Sequence, residues 1–177
     1  MKKIAVFCGS RMPKEAIYKT EALKLAQYFV KNNIALVYGG AKVGIMGIIA
    51  DAMIEQKGYV IGVMPKMLSD KEIMHTDLSE TYIVSSMHER KAMMMDMSDH
   101  FIAFPGGCGT MEEIFEVITW SQIGIHSKSY GFLNINGFYD GIKTYLDTAY
   151  RTEFLPKAMY DEIVFEDNFD DFIEKLI

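Results

Sequence analysis

Cysteine is scarce in this chain, with only Cys8 and Cys108 among 177 residues. The opening MKKIAVFCGS has a basic start, but its apolar run is too short for a secretory leader and continues into a strand pattern. Together these features predict a reduced, cytoplasmic protein. A basic excess is also missing. The formal net charge of −6 argues against a grip on nucleic acid, while leaving room for small phosphorylated ligands held at one local site. No apolar stretch approaches the length of a membrane span, so no membrane partner is expected. The P-loop pattern G-x-x-x-x-G-K-[ST] does not occur. His75, His100 and His126 show no ligand spacing with cysteine or acidic partners, so no metal is expected, nor any cofactor. Linkers, repeats and low-complexity tracts are absent, and a single domain over residues 1–177 is expected.

What is present is globular: half the residues are hydrophobic and 24% are charged. Apolar runs alternate with amphipathic ones. Strands are expected at Lys2 to Gly9, Ile34 to Gly40, Tyr59 to Pro65, Thr81 to Ser86, His100 to Gly107 and Ser129 to Ile135, with a short last one at Glu162 to Glu166. Helices are expected at Lys14 to Lys31, Gly44 to Gln56, Met87 to Met97, Met111 to Gln122, Tyr139 to Tyr150 and Phe169 to Leu176, with a polar connection between the third and fourth strands. Strands apolar throughout, alternating with helices, predict an α/β, Rossmann-like, doubly wound parallel sheet with helices on both faces. Fourteen methionines are many for this length. Met93 to Met95 and Met97 are read as filling gaps in a core or a subunit interface.

In such a fold, ligands sit at the carboxyl ends of the strands. Those ends carry Cys8-Gly9-Ser10, then Gly39-Gly40-Ala41 with Gly44 and Gly47, then Ser85-Ser86, then Pro105-Gly106-Gly107-Cys108-Gly109-Thr110. Glycines let backbone approach a ligand, and a helix start offers free N–H groups, so the turns together describe a phosphate cradle. The run Gly107 to Glu112 follows G-x-G-x-x-G except for its last place. A carboxylate there disfavours a dinucleotide and leaves room for a single phosphate.

Two residues have competing roles. Thr110 and Glu113 fit the capping box T-x-x-E, as do Ser86 and Glu89, so Glu113 serves either the helix start or a ligand. Glu112 fits a solvated first-turn acid. Arg90 and Lys91 form a basic pair near a helix start, against the dipole preference, which points to binding of an anion or a carboxylate. His88 is read as structural, with a general base or a pocket donor as the alternative. Cys8 and Cys108 are read as small packing residues, and Trp120 as core.

The stretch SMHERKAMMMDMSDHFIAFPGGCGTMEE closely resembles the LOG ("lonely guy") family of cytokinin riboside 5′-monophosphate phosphoribohydrolases, long labelled lysine decarboxylases. The carriers are M-H-x-R-K followed by P-G-G-x-G-T-x-x-E, with VFCGS and YGGAKVGIMG in support. The resemblance implies a homodimeric or larger hydrolase acting on the N-glycosidic bond of AMP or an N6-modified AMP. The products would be a free base and ribose 5-phosphate. It places the catalytic pair on Arg90 and Glu113. It places substrate and phosphate binding on Gly9, Ser10, Gly40, Gly44, Met87, Lys91, Gly106, Gly107, Cys108, Gly109, Thr110, Met111, Glu112 and Thr119. A nucleotide-binding sensor or carrier on the same fold is the alternative.

Overall fold

The computed structural model describes residues 1–69 and 74–177. In chain order the elements begin with β1 (Lys2–Phe7), α1 (Ala16–Lys31), β2 (Ile34–Tyr38), α2 (Gly44–Glu55), β3 (Val60–Pro65), α3 (Lys66–Ser69) and β4 (Glu80–Val84). They continue with α4 (Met87–Met97), β5 (His100–Ala103), α5 (Cys108–Gln122), β6 (Ser129–Leu133), a 3-10 turn at Ile135–Gly137, α6 (Asp140–Arg151), α7 (Lys157–Glu162), β7 (Ile163–Glu166) and α8 (Phe169–Leu176). The seven strands form one sheet in the order β4-β3-β2-β1-β5-β6-β7. Every pairing in it is parallel.

The apolar strands follow from this arrangement, because successive side chains enter opposite, equally buried layers. Ile4 and Val6 of β1 join Leu36 and Tyr38 in a layer with residues of α1, α2 and α8. Ala5 and Phe7 join Val37, Phe101 and Phe132 in a layer with residues of α4, α5 and α6. Phe101 and Phe132 are fully buried, each worth about 1.5–3 kcal/mol on transfer from water.

The expected strands and helices are recovered with shifted, mostly shortened ends, and three departures matter. The fifth strand stops at Ala103, and its helix begins at Cys108, three residues earlier than Met111. The helix α7 was not expected. In the connection expected to be polar, Lys66–Ser69 form a short helix, and residues 70–73 lie outside the described part.

The strand order reverses beside β1. The chain builds outward from β1 to β4, then returns to place β5 on β1's other side. The loops after β1 and β5 therefore part at the sheet's carboxyl edge, which opens a crevice. A close backbone contact fixes the crevice from the α2 side. Gly44 has φ +62, and a Cβ there would lie 2.4 Å from Ser10 C and 2.5 Å from Arg11 N. Gly44→Ala is expected to destabilise the fold by roughly 1–3 kcal/mol, lowering Tm by about 2–12 °C for a chain of this size. Gly141→Ala is the control, because its added carbon meets nothing within 4 Å. Differential scanning calorimetry on the two variants checks the contrast.

Candidate active site

The crevice is walled by the loops after β1 and β5. Gly9 N–H donates to Pro105 O (3.2 Å), while Gly9 O accepts from Ile45 N–H and Met46 N–H at the start of α2 (3.0 and 3.3 Å). Gly106 is held against this ridge. A Cβ on it would lie 2.1 Å from Thr110 Oγ1 and 2.8 Å from Gly9 N, so no other residue fits without displacing backbone. Beyond it, α5 starts at Cys108, with Gly107 as an N-cap that provides no side-chain hydrogen bond. A Cβ on Gly107 or Gly109 would meet nothing within 4 Å. The first-turn N–H groups of α5 thus stand at a helix start built of small residues, where helix geometry leaves such donors without intrahelical acceptors.

These residues enclose a cavity of about 320 Å³ lined by Gly9, Ser10, Gly107, Cys108, Gly109 and Thr110, with Arg90 and Glu113 in its wall. A larger groove of about 1030 Å³ runs along β6, β7 and α7. Several of its charged groups engage one another at the surface, as Lys175 does with Glu166. It contains neither the glycine loops nor a buried carboxylate.

Glu113 faces the cavity side of α5, with only 8% of its surface exposed. It does not cap the helix. Cys108, Gly109 and Thr110 already form the first turn, which puts Thr110 inside the helix and Glu113 in its second turn. The capping box expected of Thr110 and Glu113 is therefore absent, as is the expected first-turn position of the two glutamates. The partner of Glu113 is Arg90, whose Nη1 lies 3.3 Å from Glu113 Oε1. Arg90 Nε–H donates to Val63 O (3.1 Å) within β3. Its other terminal nitrogen lies over Gly39, where a Cβ would come within 2.3 Å. Upstream, Ser86 Oγ accepts from Glu89 N–H (3.1 Å) and so caps α4 as expected. The Glu89 carboxylate reaches back to Ser85 N–H (2.7 Å), one residue earlier than a reciprocal box requires. Burial pushes the Glu113 carboxyl up to about 7, against the lowering pull of Arg90 and with a further upward push from Glu112.

The structure brings Gly9, Ser10, Gly107, Cys108, Gly109, Thr110, Arg90 and Glu113 together, with Gly106 behind them. It does not bring in the others. Gly40, at φ +79, packs on Gly62 and Met64, and Gly44 on the Ser10 backbone. Lys91 is buried with its ammonium on Glu112 and Glu116, so both Lys91 and Glu112 bind each other and not the cavity. Met111 packs against the core layer of α4 to α6. Met87 contributes only its sulfur, 4.0 Å from Arg90 Nη1. Thr119 is exposed in the last turns of α5, and its hydroxyl donates to Phe115 O (2.7 Å). His88 is exposed and outside the lining. Cys8 is buried with its thiol pKa raised by desolvation, and Cys108 is exposed; both line the cavity.

Gly39, which the sequence already placed among the strand-end glycines, lines the cavity, and sequence reasoning missed Arg11, Met46, Leu68 and Met94, which line it too. An arginine in an exposed loop and three apolar residues carry no signal. Among the described residues, no three His, Cys, Asp or Glu side chains group as a metal site, and no lysine lines the cavity.

The family described as "Possible lysine decarboxylase" matches residues 46–176. A cytokinin riboside 5′-monophosphate phosphoribohydrolase of Arabidopsis thaliana is 43% identical over 190 residues, covering 99% of this chain and 89% of its own length. A probable enzyme of the same name from Oryza sativa subsp. japonica is 48% identical over 153 residues, covering 86% of this chain and 69% of its own. Among solved structures, the molybdenum cofactor binding protein of Rippkaea orientalis superposes with a TM-score of 0.72 at 18% identity, covering 98% of this chain and 93% of its own. The molybdenum cofactor carrier protein of Chlamydomonas reinhardtii gives 0.72 at 16%, covering 99% and 97%. At that identity the two solved structures speak for the fold alone.

Gly39→Ala isolates the Arg90–Glu113 pair without touching either residue. Its added carbon meets the mobile end of a side chain, so the fold should hold, while the guanidinium must leave its place beside Glu113. The Glu113 midpoint is expected to move upward from about 7, because the cation in direct contact with it is displaced. A carboxyl carbon NMR titration with parallel melting curves reads this. An unmoved midpoint would mean that Arg90 does not set the ionisation of Glu113.

Proposed function

This chain belongs to the family of cytokinin riboside 5′-monophosphate phosphoribohydrolases, and from that membership we propose that it hydrolyses the N-glycosidic bond of AMP or an N6-modified AMP. The products are the adenine-type base and ribose 5-phosphate. The observation that carries this reading is the buried Arg90–Glu113 pair, 3.3 Å apart, in the wall of a cavity whose other wall is a glycine-built helix start. A carrier needs the cradle but has no use for a desolvated carboxylate beside it, so the pair favours catalysis over the sensor or carrier.

In this reaction the 5′-phosphate lies at the Gly106 to Thr110 loop, among the first-turn N–H groups of α5, with Gly9 and Ser10 opposite. Arg11, on the lip of the same cavity, adds a cation. Binding there fixes the ribose against Glu113. As the base departs, the sugar gains positive charge, and the Glu113 carboxylate opposes that charge and orients the attacking water. The water oxygen bonds to the anomeric carbon, its proton passes to Glu113, the electrons of the C–N bond leave with the base, and the proton then returns from Glu113 through solvent to the freed nitrogen, which yields the neutral base and restores the carboxylate. Arg90 favours the ionised carboxylate against burial and aims it. Met46, Leu68 and Met94 supply apolar surface toward the base.

The reading extends to the whole chain as a single domain. A homo-oligomer is also proposed; of the methionine-rich helix, Met94 and Met95 are buried inside the subunit, while Met93 and Met97 are only partly buried against the same layer. The apolar side chains left exposed are elsewhere, with Phe154 at 86% and Ile123 at 65%. Light scattering at micromolar concentration is expected to give a mass of at least twice 20.1 kDa. No helix among the described residues is long and apolar enough to cross a membrane. With both cysteines free, the proposed location is the cytoplasm.

Glu113→Gln tests the carboxylate directly. Turnover of AMP is expected to fall at least about 100-fold while the variant folds. Wild-type kcat/KM is expected to rise with pH as Glu113 ionises, levelling above about 7. Stability should respond in the opposite sense. The folded-state pKa is raised, so ionising Glu113 weakens the fold as pH climbs from the ordinary carboxylate value through about 7, and Glu113→Gln escapes that penalty. The variant's Tm relative to wild type should therefore be higher at pH 8 than at pH 5. Adenosine, lacking the phosphate, should react with kcat/KM lower by about 100-fold or more, the worth of two charge-assisted hydrogen bonds. Equal rates for AMP and adenosine would remove the phosphate from the glycine loop.

A further inference from the structure

Consecutive residues on a helix point about 100° apart. Arg90 and Lys91 on α4 therefore face different ways, as do Glu112 and Glu113 on α5. The structure pairs them accordingly. Arg90 meets Glu113 on the cavity side, at 3.3 Å. One step around both helices, Lys91 Nζ donates to Glu112 Oε1 in a short contact. It also lies 2.7 Å from Glu116 Oε2, one turn further along α5. Glu116 Oε2 is buried and accepts no well-directed hydrogen bond, so that second contact is one of charge. The Lys91 side chain is 8% exposed, so the ammonium is shielded even though its partner Glu112 is 55% exposed. Two ion-pair rows thus cross the same seam between α4 and α5, one lining the cavity and one behind it.

We infer that Lys91 is a positioning residue for the reaction, clamping α4 to α5 through Glu112 and Glu116 so that Arg90 and Glu113 stay in register. It rests on the reading of Glu113 as the reacting carboxylate. Lys91 does not line the cavity and touches no substrate. Its effect is twofold. Without it, only the guanidinium contact would join the charged faces of the two helices beside the cavity. It also offsets two carboxylates that would otherwise oppose the ionisation of Glu113. The charged or titratable groups acting on Glu113 are Arg90 and Lys91 from α4, Glu112 and Glu116 from its own helix, and Cys8 from the end of β1. Of these, the two cations favour the carboxylate and the two glutamates oppose it. For Lys91 itself, burial disfavours the charge, but the contacts with Glu112 and Glu116 outweigh burial and hold its pKa above that of a free lysine.

The experiment compares Lys91→Met, Lys91→Arg and Glu112→Gln with wild type, using AMP across pH. For Lys91→Met, kcat near neutral pH is expected to fall by about 10- to 100-fold, the scale of a modest misplacement of reacting groups. KM should stay within about 3-fold, because no substrate contact is removed. The midpoint of the acidic limb should move upward, since Glu112 and Glu116 are left without their cation, and Lys91→Arg should restore it. Glu112→Gln alters a half-exposed side chain, so it keeps the fold even where Lys91→Met does not, and it should move the midpoint downward. A raised KM with kcat and midpoint unchanged in Lys91→Met would make Lys91 a ligand contact and overturn the inference. So would an unmoved midpoint in Glu112→Gln. Glu113→Gln, run alongside, separates the two levels. If it stays active, the catalytic reading fails. If it is inactive while Lys91→Met behaves as wild type, only the clamp fails.

Discussion

A carboxylate taken out of water must be held by something, and most of what is distinctive in this fold holds Glu113. Burial alone favours the protonated acid, and a lone buried charge is far more costly than a lost surface contact. The guanidinium of Arg90 is the counterweight, at 3.3 Å. Arg90 in turn is aimed by Val63 O and by the space left above Gly39. Four separate stretches of chain therefore meet at one charge pair: the turn after β2, the strand β3, and the helices α4 and α5. A parallel sheet delivers such stretches to one edge, and the reversal of strand order beside β1 keeps the edge open.

The glycines serve the same end by different means. Gly44 lets the loop after β1 lie against the start of α2, at a positive φ. Gly106 lets the loop after β5 lie against the loop after β1. Gly107 and Gly109 have open space where a side chain would stand. The first two bring backbone together, and the last two leave room at a helix start. All look alike in sequence, as a Gly-rich strand end.

Much of this was legible from residue order. Strands apolar throughout and helices between them gave the architecture, because burial on both faces leaves no polar alternation to mislead. Arg90, Glu113 and the Pro105 to Thr110 loop were legible from their motifs. The start of α5 was not. Gly107-Cys108-Gly109 has the composition of a loop, and helix propensity disfavours it, yet Cys108 and Gly109 form the first turn. That single shift turned Thr110 from an expected cap into an interior residue and moved Glu113 a turn deeper. The placing of Lys91 and Glu112 away from the cavity has a related origin. Adjacency to Arg90 and Glu113 suggested a shared task, whereas a step of about 100° around each helix sends the neighbours to the opposite side of the seam. Arg11 escaped notice because an exposed loop cation has no pattern until the fold brings it to the cavity.

The placement of two duties on one helix explains why Glu113 belongs in the second turn of α5. In the proposed reaction an anion is held at the helix start and a sugar cation is opposed a short way beyond it. A carboxylate in the first turn would stand among the same N–H groups and compete with the phosphate for them. A carboxylate several turns down would lose the ribose. Glu113 stands about 8 Å along the axis from Cys108, at about 1.5 Å per residue, clear of the donors yet on the same rigid element. The separation is then fixed by helix geometry and not by loop conformation. What remains adjustable is the approach of α4, which carries the guanidinium. The buried contacts of Lys91 with Glu112 and Glu116 lie where that approach is set.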